Sequence, residues 1–107
     1  MKTIAGPEAI ARMREMRHDE DSFFELHHLT WDRKNDTTNG MRLVVRCRLR
    51  VALPKEKFYP HQDLYLPYID WDLAKGEQNR MCFKRLIRYV AFPPDFELLK
   101  VEWFKQM

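Results

Sequence analysis

The chain has 107 residues, 45% hydrophobic and 13% aromatic, and its 19 basic and 16 acidic residues leave a formal net charge of +3. That length suits a single domain, residues 1–107, with one modest core. The aromatic content and small charge imbalance exclude intrinsic disorder. The mild basicity permits an anionic partner without requiring one.

Gly6-Pro7-Glu8 reads as a helix start, because proline is tolerated in the first turn and an acid there suits the dipole. Ile10, Met13 and Met16 recur at helical spacing, which predicts a helix over 7–17. His18 to Ser22 breaks the pattern as an acidic loop, so residues 1–22 form an N-terminal helix and loop ahead of a β-rich core over 23–107. Phe23 to Asp32 is rich in β-prone residues and reads as a strand. Asn39-Gly40 supplies the turn chemistry that follows.

Met41 to Leu53 alternates. Leu43, Val45, Cys47, Leu49, Val51 and Leu53 fall on one side, and Arg42, Arg46, Arg48 and Arg50 on the other. Period two predicts a strand with an aliphatic face and an arginine face, paired with the first as a hairpin. Pro54 ends it, and Lys55 to Gln62 reads as a loop. Asp63 to Asp72 reads as a third strand. Pro67 cannot donate to a ladder, which suggests an edge strand or a bulge.

Residues 80–92 admit two readings. Met81, Cys82, Phe83, Leu86, Ile87 and Val90 fit a helical stripe. The same run also fits a strand, a tight turn at Lys84-Arg85 and a second strand. Pro93-Pro94-Asp95 breaks the chain. Glu97 to Phe104 alternates again, with Leu99, Val101 and Trp103 inward. These elements predict an α+β, β-dominated, antiparallel domain.

Several fragments carry a family resemblance: Cys47-Arg48-Leu49 with Val51 two positions on, Leu64 to Asp70, Lys75-Gly76, Arg80, and Leu86-Ile87-Arg88-Tyr89-Val90. Over residues 23–92 the order of pieces resembles small SH3-like β-barrel proteins encoded by phages and prophages of gut Bacteroidetes. The resemblance implies a hairpin, a third strand, a Lys-Gly turn and a strand–3₁₀–strand ending, hence an SH3-like partial barrel. It also implies a mobile element and a host cytoplasm. The N-terminal helix and the extra strand after Pro93-Pro94 depart from the family pattern.

Cys47 and Cys82 sit in apolar patterns with no CxxC or Cys/His ligand spacing, which points to two buried free thiols in a reducing, cytoplasmic compartment. The first residues lack the apolar run of a signal peptide. No segment approaches the roughly 18 apolar residues of a membrane span.

Catalytic chemistry finds little support. Ser22 is the only serine and lies in a charged loop. Cys47 lies on the aliphatic side of its strand, where burial makes a thiol inert. Asp70 and Asp72 share a face, but pairing with the arginine row is the simpler role for them. His18 with its acidic neighbours and His27-His28 are weighed as a metal site. Adjacent strand residues point to opposite faces, so a solvated acidic loop is the better account. No catalytic residue, metal or cofactor is assigned, and the chain does not read as an enzyme.

Binding remains. Arg42, Arg46, Arg48, Arg50, Lys84, Arg85 and Arg88 form a candidate basic face, and Tyr65, Tyr68, Trp71, Trp103 and Phe104 are candidate stacking or partner aromatics. The leading reading is a non-enzymatic module working through a protein partner or homo-oligomer. The alternative is a small nucleic-acid-binding module using the arginine strand, and an enzyme of unknown type ranks last. A structural salt-bridge lattice with Glu25, Asp70 and Asp72 competes with both. Neither a membrane nor a small molecule is indicated as a partner.

Overall fold

The computed structural model describes residues 1–19, 21–32, 34–50 and 64–103. Chain order is β1 (Thr3–Ala5), α1 (Gly6–Met16), β2 (Phe24–Asp32), β3 (Thr37–Leu49), β4 (Tyr65–Asp70) and β5 (Asn79–Phe83). A 3₁₀ turn at Lys84–Leu86, then β6 (Ile87–Phe92) and β7 (Glu97–Glu102), complete it. The expected continuation of the second strand through Val51–Leu53, the stop at Pro54, the loop Lys55–Gln62, the strand start at Asp63 and Phe104 lie outside the described residues.

The strands form one seven-stranded sheet in the order β1-β7-β6-β2-β3-β4-β5, with β1 and β5 at its edges, so the sheet is not closed. The domain is β-dominated, as expected, but not purely antiparallel: β1 pairs with β7 in parallel, Ile4 opposite Val101. Three residues ahead of a helix carry no readable period, which is why the sequence concealed this strand. Residues 80–92 take the strand–turn–strand path. From β2 to β5 the strands form an antiparallel meander, and β6 returns to pair with β2. The sheet curls enough that Trp31 of β2 meets Phe83 of β5 edge to face at 6.3 Å, although two strands lie between them.

Helix α1 buries Ala9, Ile10 and Met13, its apolar stripe, against Ile4 and Val101 of the sheet edge and the central Phe24, Leu26, Val44, Ile87 and Val90. Gly6 opens the helix directly against the indole of Trp103, and a methyl group there would overlap the ring. Trp103 is anchored in turn by its Nε1–H, which donates to the Ile87 carbonyl at 2.9 Å.

The alternation of β3 is interrupted. Phe24 lies opposite Cys47 and Leu26 opposite Val44, so Val45 and Arg46 together face Glu25 alone. This bulge inserts one residue and reverses the phase. Val44 and Cys47 are buried, whereas Leu43 and Val45, expected in the core, are 54% and 49% exposed. Asn39-Gly40 is not the hairpin turn either. It forms a second bulge opposite Thr30, with Gly40 at φ +80° and the Thr30 hydroxyl donating to the Asn39 carbonyl at 2.7 Å. The chain reverses earlier, through residues 34–36, where Asp36 adopts φ +50°.

Pro67 is not on an edge strand, because β4 lies between β3 and β5. Its carbonyl accepts the Arg50 N–H at 3.2 Å, just past the last ladder pair, Leu49 with Tyr68. Backbone N and O of one strand residue point to the same neighbour. The missing donor of Pro67 therefore falls where the β3–β4 ladder has already ended.

Candidate functional site

A cleft of about 250 Å³ lies between the end of β2 and the β4–β5 hairpin, lined by His28, Thr30, Trp31, Arg42, Tyr65, Tyr68, Arg80 and Phe83 among others. The phase reversal places Arg42 here. Arg42 lies directly opposite His28 and before the bulge, so it shares the inward face of Val44, whereas Arg46, within the bulge, and Arg48, after it, face outward. The expected single face of four arginines is therefore split. Arg80 enters from β5 opposite Tyr68, carried on the inward phase of Cys82.

The polar floor is a buried chain. His28 Nδ1–H donates to the Leu29 carbonyl at 3.1 Å, so Nε2 is the acceptor of a hydrogen bond donated by the Tyr68 hydroxyl at 2.9 Å. The Arg42 guanidinium bonds the same hydroxyl. Burial lowers the His28 pKa, aided by the positive Arg42, against a smaller opposing effect of the Leu29 carbonyl. Burial also raises the Tyr68 pKa, so the phenol stays protonated. Both groups are thus held neutral beside a cation.

Arg80 Nε donates only to a backbone carbonyl, that of Glu77 at 3.2 Å. None of the described residues lining the cleft is acidic. Two guanidinium groups without a carboxylate counterpart among the described residues, in a partly desolvated recess, make a site for an anion. The walls are aromatic: Tyr65 lies on Phe83 with ring centroids 4.6 Å apart, and Phe83 meets Trp31. A second recess of about 300 Å³, lined by Trp31, Phe83, Arg85 and Leu86, shares two of those rings.

The other candidate residues are distributed elsewhere. Arg46 Nε donates to Asp72 at 2.8 Å, and the guanidinium lies 5.8 Å from the Phe23 ring. Glu25 accepts from His27 at 3.0 Å, and the Asp70 carboxylate accepts the Asp72 backbone N–H at 3.1 Å. Among the described residues the lattice expected around the arginines is represented by the exposed Arg46–Asp72 pair, which contributes about 0.2–1 kcal/mol. Arg48 and Arg50 are half-buried. Arg88 Nη1 donates to the Arg85 carbonyl at 2.9 Å and so braces the 3₁₀ turn that carries Lys84 and Arg85.

Of the aromatics, Tyr68 is core and engaged with His28, so it offers no face for stacking. Tyr65 lines the cleft, Trp71 packs edge to face on Phe23 at 6.1 Å, and Trp103 is committed to Gly6 and Ile87. Sequence reasoning missed Trp31, Arg80 and His28 as one group. They are brought together only by the curl of the sheet, and no spacing in the chain encodes that.

Both cysteines are free and buried. Burial pushes the Cys82 thiol up to about 12 and also raises that of Cys47 well above its ordinary value, with Cys82 and Asp70 adding to the Cys47 shift. Among the described residues no cluster of three His, Cys, Asp or Glu could hold a metal ion, and no helix is long and apolar enough to cross a membrane. No protein-family model, curated protein or solved structure matches this chain.

Proposed function

We propose that this chain is a non-enzymatic interaction module acting by protein–protein contact, with a second copy of itself as the partner. One observation carries the reading. Met41, Leu43 and Val45 stand exposed along the outer side of β3, at 48%, 54% and 49%. The side chains that patterning would reserve for a core are instead presented in a row, and contiguous exposed apolar surface marks an interface.

The row is also symmetric about Leu43. A two-fold axis through that residue sets Leu43 against Leu43 and Met41 against Val45, the self-complementarity an isologous dimer requires. The β2–β5 meander, with β6 returning through the 3₁₀ linker to pair with β2, supports an SH3-like partial barrel, extended by α1, β1 and β7. The phage or mobile-element context rests on the resemblance of residues 23–92. The two buried free thiols support a reducing cytoplasm.

Size-exclusion chromatography with light scattering tests the proposal. The chain is expected to dimerise at high concentration and Leu43→Ser to be monomeric. A monomeric wild-type chain at high concentration would remove self-association.

A further inference from the structure

The Arg42–Arg80 cleft is separate from the β3 row and carries a different activity. We infer that this cleft and the adjoining recess form a binding track for single-stranded nucleic acid, with a phosphate on the guanidinium groups and bases against the exposed rings. Arg42 and Arg80 are half-buried, and neither pairs with a carboxylate among the described residues. A phosphate fills that role, because the planar guanidinium fork matches its oxygens.

The aromatic wall selects among anions. Trp31 keeps 40% of its surface exposed, and Tyr65 and Phe83 are half-buried around it. An acidic side chain would satisfy the arginines and leave these rings uncovered. A nucleotide supplies phosphate and ring together, and base–aromatic stacking tolerates any base.

The second recess favours a strand over a free nucleotide. It shares the Trp31–Phe83 pair and is lined besides by Arg85 and Leu86. Two cation-lined recesses sharing a pair of rings repeat the alternation of phosphate and base along a chain. Tyr68 and His28 position the track rather than touch the ligand, because their hydrogen bonds orient Arg42.

The test is fluorescence anisotropy of labelled single-stranded oligothymidylate and oligouridylate with the full chain. Binding is expected at low salt and to weaken as salt rises. Trp31→Ala should weaken it about tenfold and Trp31→Phe much less, since phenylalanine keeps a stacking face. Arg80→Gln should lower the salt slope by about one. Arg46→Gln, on the opposite face, should leave binding unchanged, and so should Leu43→Ser, which separates this site from self-association.

Absence of binding at low salt overturns the inference. So does binding that Trp31→Ala and Arg80→Gln leave untouched, or a duplex bound as tightly as the single strand. Uridine monophosphate competing as well as the oligomer would reduce the track to a one-nucleotide pocket and overturn the strand reading. Polyglutamate binding with the same residue dependence would reassign the cleft to an acidic protein segment.

Discussion

Val44 and Cys47 are both fully buried although only two residues separate them, because Val45 and Arg46 bulge together opposite Glu25. Strict alternation would send residues three apart to opposite faces. The bulge reconciles them, turning Arg42 inward and the two arginines after it outward. The split of the basic residues between a cleft and an outer face follows from this one inserted residue.

Mutational cost along β3 should follow the bulge rather than the alternation. Val44→Ala should destabilise by on the order of 2 kcal/mol, because it empties a fully buried site. Leu43→Ala should change the stability of the isolated monomer by no more than about 0.5 kcal/mol, as expected of a surface position. Urea unfolding of both variants, at protein concentrations low enough to suppress association, measures the contrast. Equal costs would mean that Leu43 is packed inside.

His28 makes stability depend on pH. Its folded pKa lies below the ordinary 6.5, so the unfolded chain binds the proton more readily than the folded one. The contribution is complete above pH 6.5. It is lost as pH falls below 6.5 and levels off below the folded pKa. Thermal melts at neutral pH and at successively lower pH should show the decline, and His28→Gln should flatten it.

Tyr68→Phe should cost about 1–3 kcal/mol, since it removes the donor to a buried imidazole nitrogen and leaves Nε2 unsatisfied. The same variant should raise the His28 pKa, because the neutral imidazole loses its donor. NMR titration of the imidazole reads this directly. A destabilised variant with an unchanged titration would place the hydroxyl's role elsewhere.

Gly6→Ala should destabilise by about 1–3 kcal/mol, because the new methyl would overlap the Trp103 ring and the indole is held by Ile87. Pairing the change with Trp103→Leu should recover part of the loss. Denaturant midpoints of the single and double variants form the cycle that separates the clash from helix propensity.

Cys47 and Cys82 should resist thiol reagents in the native state, because both are buried and the Cys82 thiol is pushed up to about 12. Labelling should proceed at the rate of unfolding and accelerate with added urea. Rapid labelling of either thiol in the absence of denaturant would contradict the burial described.

Local pattern was enough for the elements that carry their own period: α1 from Ile10, Met13 and Met16, β7 from Leu99 and Val101, and the existence of β3. Helical and strand periodicities are written in consecutive residues and need no partner. The phase of β3, the parallel pairing of Thr3–Ala5 and the interior place of Pro67 depend on which strand lies alongside, and register is a property of two segments. The cleft stands one step further away. Trp31, Arg42 and Arg80 meet only after four strands curl, so the arginine strand was legible while the cavity that receives one of its arginines was not.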